Sequence, residues 1–289
     1  MIDEIKALGI DCVELNFTLS KKMVNDIAEL AAERIVTVLS LHNFCPVPDS
    51  VDIKNASPDY YSLASIDETE RKMAVEATKR TIDTACRLKA EAIVVHSGRV
   101  NITDRTRELA KAIDSGMDVT YLIATMHKER DEEIKKGYLD SVLESIGEIS
   151  EYSKNCGVKI GLENRFYFRE LPSASEFEVI FSHFGAEDNI YYWHDTGHAQ
   201  IFENLRLSSH KEYLDKFSRR LIGVHLHDIK GTINDHNAPL AGDFNFALLK
   251  SYLNKNVMKV LEPHAPATSE EIKRGLKYLK KLYEEGNIE

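Results

Sequence analysis

The chain has 289 residues, 43% of them hydrophobic, and a formal net charge of −10, which leaves room for a large core in one barrel or two smaller domains. The acidic balance argues against a nucleic-acid partner, because phosphates select basic surfaces. Cys12, Cys45, Cys86 and Cys156 are widely spaced with no C-x-x-C pair, which argues against a disulfide frame or zinc knuckle and fits reduced thiols in a cytoplasmic protein. The opening Met1-Ile2-Asp3-Glu4-Ile5 is acidic and lacks a long apolar run, so neither a signal peptide nor a membrane span is expected.

In chain order, Ile2, Ile5 and Leu8 predict a helix stopped by Gly9, and residues 12–17 alternate as a strand does. A helix is predicted over 21–34. A β-branched run from Ile35 to Leu41 ends at His42, and a Pro-containing loop spans 43–58. Residues 67–88 read as a long amphipathic helix capped by Asp67. A strand over 92–95 ends at His96-Ser97-Gly98. The stretch 104–155 reads as two helices broken near Ser115-Gly116, with 127–136 on a solvated face. Strand 159–162 ends at Glu163-Asn164-Arg165, and helix 173–184 opens on Ser173 or Ser175. Strand 190–194 leads to Asp195 and, in the first turn of a loop, His198. Helix 210–217, strand 221–227, a polar loop to Asp243, helix 245–254, strand 257–261 and helix 269–284 complete the chain.

Strands and helices alternate, and each crossover is long enough for a right-handed βαβ connection, so the strands are expected to be parallel. No low-complexity linker interrupts residues 1–289, so one domain is expected. Strands near 12, 36, 93, 160, 191, 222 and 258 suit a (β/α)8 TIM barrel whose first strand is missing. An unclosed barrel leaves two unpaired edges.

The loops after the strands form the active face of such a barrel. Here they carry His42, His96, Glu163, Asp195, His198, His225, His227 and Glu262. Residues two apart on a strand share a face, so His225 and His227 point one way, as do Glu262 and His264. His194 alternates with Asp195 and is expected to face the helices. Carboxylates crowded together repel, and a desolvated charge left unpaired costs several kcal/mol. A divalent cation removes that cost, and carboxylates with imidazole suit Mn2+, Mg2+, Co2+ or Zn2+. Taken singly, His42 or His96 is as readily a hydrogen-bonded core residue, and Glu163 could pair with Arg165 or cap a helix. Cys45 reads as a packed thiol. Glu14 and Asn16 share a face and either line the barrel or bond within it. Arg99, Arg105 and Arg107 read as a solvated face or as contacts to an anionic substrate.

With these residues placed, the chain resembles the xylose isomerase-like β/α-barrel superfamily, also called the AP endonuclease family 2 group. The most specific pieces are Gly161-Leu162-Glu163-Asn164-Arg165, Asp195-Thr196-Gly197-His198, His225-Leu226-His227-Asp228 and Leu261-Glu262-Pro263, with Ser40-Leu41-His42 and His96-Ser97-Gly98 less so. Members begin with a strand before the first helix, and this chain departs from that pattern. The resemblance implies a sugar, sugar phosphate or cyclitol isomerase or epimerase working through an enediolate stabilised by one divalent metal. The metal would be held by Glu163, Asp195, Glu262 and His225, with His227 as the alternative imidazole. Glu163 and Glu262 would serve as base and acid, and His198 would position a substrate oxygen. His42, His96, His227, His236 and Arg165 are the remaining candidate substrate contacts. Endonuclease IV members, zinc-dependent AP endonucleases, use three zincs instead. Matches to their ligands exist at His42, His96, Glu163, Asp195, His198, His225 and Glu262, while Asn234-Asp235-His236 only approximates their Asp-x-His pair. A third reading is a non-catalytic barrel that binds a sugar. The partner expected is a small sugar-like molecule, with a homo-oligomer left open.

Overall fold

A computed structural model describes residues 2–284; Met1 of the acidic opening stretch lies outside them. Helix α1 (Ile2–Ala7) is followed by Gly9 at φ 76°, a left-handed conformation that glycine adopts without strain. Then come β1 (Cys12–Leu15) and α2 (Lys21–Ala32), whose N-cap Ser20 accepts the Met23 N–H. β2 (Thr37–His42) leads through the Pro-containing loop to α3 (Glu68–Leu88), where Asp67 accepts the N–H groups of Thr69 and Glu70. β3 (Ala92–Val95) and β4 (Gly98–Arg99) precede α4 (Thr106–Asp114), α5 (Thr120–Ile134) and α6 (Tyr138–Lys154). β5 (Lys159–Glu163) comes next, and β6 (Glu170–Leu171) pairs antiparallel with β4. α7 (Ala174–His183) opens with a capping box between Ser173 and Glu176. β7 (Ile190–Asp195), α8 (Thr196–Asn204), α9 (His210–Phe217) and β8 (Leu221–Leu226) follow, then β9 (Asp228–Lys230), β10 (Asn234–Asn237), β11 (Met258–Leu261) and α10 (Ser269–Glu284).

Five local expectations are corrected. The stretch 104–155 holds three helices, the second break falling at Gly137, whose φ is 104°. Within it Arg130 is buried and donates Nε–H to the Phe168 carbonyl at 2.9 Å, so 127–136 is not wholly solvated. His198 lies in a helix rather than a loop: Asp195 caps α8 by accepting the His198 N–H at 2.7 Å. Gly197 hid that helix, being a poor helix former; a Cβ there would overlap the His227 ring. The polar loop after β8 contains the antiparallel pair β9–β10. Residues 245–254 form a 3-10 turn, Phe246–Leu249, followed by further turns such as Tyr252 N–H to the Leu249 carbonyl. Tandem turns repeat apolar side chains at nearly the spacing of a helix.

Among the described residues one seven-stranded sheet runs β1-β2-β3-β5-β7-β8-β11, in chain order, and no strand precedes α1. The order agrees with a (β/α)8 barrel short of its first strand, with β1 and β11 as its ends. Cα proximity gathers the chain into two compact units. One holds the chain up to Ile102 with Asp131–Glu163 and Arg169–Tyr191. In it β1, β2, β3 and β5 are parallel. Ser40 lies opposite Glu14 and donates to its carboxylate at 2.6 Å. α3 packs on α6 with Val75, Ile82, Val142, Ile146 and Ile149 buried, each worth about 1.5–3 kcal/mol of hydrophobic stabilisation.

The other unit holds Thr103–Arg130, Asn164–Phe168 and the chain from Tyr192 onward. There β7 pairs with β8 and β8 with β11, all parallel, and Asp195 lies opposite His225. Trp193 is fully buried and fits because residue 223 lacks a side chain: a methyl at Gly223 would overlap its six-membered ring. Gly223→Ala is expected to destabilise the fold by about 1–3 kcal/mol, the usual cost of overpacking. Urea unfolding measures it, and an unchanged midpoint would refute the close fit.

Candidate active site

In the first unit the ends of β2, β3 and β5 carry His42, His96 and Glu163, all buried. His96 spans two carboxylates, with Nε2 2.7 Å from Glu163 Oε2 and Nδ1 3.1 Å from Asp59 Oδ2. His42 Nδ1 lies 3.1 Å from the Asn43 carbonyl oxygen, which can only accept. A neutral His42 therefore presents its Nε2 lone pair, 3.5 Å from Glu163 Oε2. Two electron-rich atoms facing each other in a desolvated place call for a proton or a cation between them. Asn43 is fixed by Thr78 and Thr81 of α3, each at 2.9 Å.

In the second unit Asp195, at the end of β7, is completely buried. His227 Nε2 lies 2.9 and 3.0 Å from its two oxygens. The His236 backbone N–H donates to His227 Nδ1 at 2.9 Å. A backbone N–H cannot reverse its polarity, so neutral His227 carries its proton on Nε2 and donates to Asp195. His227 is thereby committed as a donor. His225 is differently placed, with Nδ1 3.1 Å from Glu262 Oε2 and 3.7 Å from Asp195 Oδ2. Asp195, His227, His236 and Glu262 also bring ligand atoms within 4.8 Å of one another. His198 Nδ1 lies 3.0 Å from the Asn164 carbonyl, which puts the lone pair of the neutral ring on Nε2.

The hairpin β9–β10 brings in His236 and Asp235. Its root is Asp228, a buried carboxylate that accepts the N–H groups of Ile229, Leu240, Gly242 and Phe244 at 2.8–3.0 Å. His236 stacks between His227 and His264 at 4.0 and 3.9 Å. Its Nδ1 lies 3.1 Å from Asp235 and its Nε2 3.9 Å from Glu262. Burial opposes its charge, but the Asp235 hydrogen bond and the carboxylates of Asp195 and Glu262 prevail and push it up to about 9. Burial, with the neighbouring His236 and His227, pushes His264 down to about 4.

Thus His42, His96 and Glu163 meet in one unit, and Asp195, His198, His225, His227, His236 and Glu262 meet in the other. Arg165 is buried in the stretch after Glu163. Arg105 pairs with Glu129 and Glu108, Arg99 donates to the Asp59 carbonyl, and Arg107 lies over Phe166 and Tyr167. Cys45 is buried, which raises its thiol to about 12. His194 faces Tyr192 and His210. Asp59, the second partner of His96, was not singled out from the sequence, because nothing marks one aspartate in a polar loop.

The family described as a xylose isomerase-like TIM barrel matches residues 2–282. The chain belongs to this family. Among its relatives is the uncharacterized protein MJ1311 of Methanocaldococcus jannaschii, 26% identical over 190 residues, 63% of this chain. That match spans 53%, about half, of the relative's own length. A D-tagatose 3-epimerase-like protein of known structure is 23% identical, with a TM-score of 0.66 over 96% of this chain and 90% of its own. The D-psicose 3-epimerase of Clostridium cellulolyticum H10, solved with D-tagatose, is 17% identical, with a TM-score of 0.64 over 98% and 92%. At these identities the likeness is one of fold: a xylose isomerase-like TIM barrel. Among the described residues no helix is long and apolar enough to cross a membrane.

The two shifted histidines give the cation-free protein opposed pH limbs. His236 holds its proton more tightly folded than unfolded, so its stabilisation is complete below pH 6.5 and is lost as pH rises through about 9. His264 is held neutral, so its stabilisation is present above pH 6.5 and is lost as pH falls through about 4. In chelator-treated protein, the difference in Tm between wild type and His236→Asn should shrink between pH 6.5 and 9. A constant difference would show that His236 carries no such charge.

Proposed function

We propose that the chain is a divalent-cation-dependent isomerase or epimerase of a sugar, sugar phosphate or cyclitol. The observation that carries this reading is the placement of His225 Nδ1 beside the carboxylates of Asp195 and Glu262. Carboxylate oxygens with one imidazole form a donor set suited to Mn2+, Mg2+, Co2+ or Zn2+. The epimerase names of the structural relatives support the substrate class.

In this reading Glu163, Asp195, His225 and Glu262 hold the ion. Glu163 is proposed from the family pattern and directly precedes Asn164, whose side chain bonds the Asp195 peptide. When bound, a divalent ion would polarise a carbonyl and its neighbouring hydroxyl, acidifying the C–H between them. Glu163 accepts the carbon-bound proton, leaving the substrate an enediolate. Glu262 in its acid form returns a proton, to the opposite face of the same carbon for epimerisation or to the adjacent carbon for isomerisation. His198 accepts from a substrate hydroxyl through Nε2. His42, His96, His227, His236 and Arg165 surround the polar end of the substrate. The working compartment is the cytoplasm, and the whole chain acts as one domain.

The test is carbon-bound deuterium uptake from D2O into a panel of ketoses, ketose phosphates and inososes with Mn2+ present. Uptake by wild type and a loss of about 100- to 10,000-fold in Glu163→Gln are expected. Full turnover by the variant would remove Glu163 from the reaction, and no uptake across the panel would refute the isomerase reading.

One observation favours a second reading, a phosphodiester hydrolase like endonuclease IV. Beyond the first donor set, His42, His96 and Glu163 form one group, and His198, Asp235 and His236 another, each with ligand atoms within 4.8 Å of one another. The adjacent Asp235 and His236 do converge, although they lack the Asp-x-His spacing. Metal analysis separates the readings: one ion per chain is expected, and three zincs with cleavage of abasic DNA would overturn the leading proposal.

A further inference from the structure

From the Asp195 peptide runs a line of fully buried polar side chains that the proposed chemistry leaves unused. Asn164 grips the Asp195 peptide twice: Oδ1 accepts the Asp195 N–H at 2.8 Å, and Nδ2 donates to the Asp195 carbonyl at 3.0 Å. Turning the amide over would set donor against donor and acceptor against acceptor, so the backbone fixes its orientation. Tyr192 Oη lies 3.1 Å from the same Oδ1, and because Oδ1 can only accept, the hydroxyl donates. Its oxygen then accepts from His194 Nδ1–H at 2.6 Å. A neutral His194 has its lone pair on Nε2, which receives His210 Nδ1–H at 3.0 Å. The line ends at His210 Nε2, an acceptor without a hydrogen-bond partner. Tyr192, His194 and His210 are all completely buried, and burial, with His194 nearby, holds His210 well below its usual range and so neutral.

Each bond from His210 through His194 and Tyr192 donates towards Asn164 Oδ1, and the orientation of that amide is set by the Asp195 N–H that donates to the same oxygen. We propose that Tyr192, His194 and His210 are positioning residues: a one-directional hydrogen-bond chain that locks the Asn164 amide and, through it, the peptide that aims the Asp195 carboxylate. Removing the Tyr192 hydroxyl leaves Asn164 with its two peptide bonds but frees it to tilt, and takes away the hydroxyl that accepts from His194 Nδ1–H. The metal-binding consequence rests on the function proposed above; the geometric one does not.

The test uses the full chain labelled with 15N at histidine and on the backbone. In cation-free wild type at neutral pH, His194 and His210 should both show the Nδ1–H tautomer. Tyr192→Phe should shift the Asp195 amide resonance and weaken Mn2+ binding, measured by calorimetry, about 10-fold, at the lower end of the effect of groups that orient metal ligands. Phe217→Leu is the packing control, since Phe217 touches the same Tyr192 ring at 5.6 Å but makes none of these bonds; it should change neither. An Nε2–H tautomer at His194, an unmoved Asp195 amide in Tyr192→Phe, or equal effects from both variants would overturn the proposal. If wild type binds no Mn2+, the cation reading falls and the tautomer and amide measurements still decide the positioning role.

Discussion

A carboxylate with no exposure to water governs the second unit. Asp195 stands at the last position of β7, and its desolvation would cost several kcal/mol if it stood alone. The surroundings answer it from three sides. The His198 N–H caps it, so the N-terminus of α8 contributes its partial positive charge. His227 donates to both its oxygens, and His225 lies beside it through the β7–β8 register. Because these partners come from α8, from β8 and from the residue between β8 and β9, satisfying one carboxylate ties together the elements around it. The same demand explains two glycines: Gly197 lets His227 close on Asp195, and Gly223 lets Trp193 lie under His225.

Histidine is ambiguous in isolation, and here the main chain removes the ambiguity. The carbonyl of Asn43 takes the His42 proton, the carbonyl of Asn164 takes that of His198, and the N–H of His236 claims the His227 lone pair. Lone pairs are thereby handed to some rings and denied to others before any ligand arrives. His42 and His198 are left as acceptors at Nε2, and His227 is left as a donor to Asp195. Orienting the ring by its other nitrogen is how metal and substrate sites gain precision.

How much of this was legible in the sequence depends on the range of the cause. The strands were readable because their apolar runs end on an ionisable residue, and Glu163 and Asp195 stand at those ends. Asp67 and Ser173 announced their helices through local hydrogen bonds. The α8 helix was not readable, since its Gly197 is explained only by a ring 30 residues along the chain. Nor was the choice between His225 and His227: strand alternation places both on one face, and only the His236 N–H, brought by a hairpin rooted on Asp228, tells them apart. Asp59 was invisible for the same reason, its meaning arising from contact with His96.

The raised His236 bears on how many ions the histidines can hold. A cation entering the group of His198, Asp235 and His236 must expel a proton held with a pKa of about 9. At pH 7 that displacement costs roughly 3 kcal/mol, at about 1.4 kcal/mol per pH unit. Zinc, whose binding to structural protein sites is worth on the order of 10 kcal/mol or more, outcompetes such a proton with ease. Magnesium, which surrenders its water reluctantly and takes few protein ligands, does not. His225 Nδ1 faces two carboxylates. Under the proposed function, a hard, weakly held ion would take Asp195, His225 and Glu262 and leave His236 charged. With zinc in excess, the histidine-rich groups can fill as well. The proton on His236 thus raises the metal affinity that the group of His198, Asp235 and His236 requires.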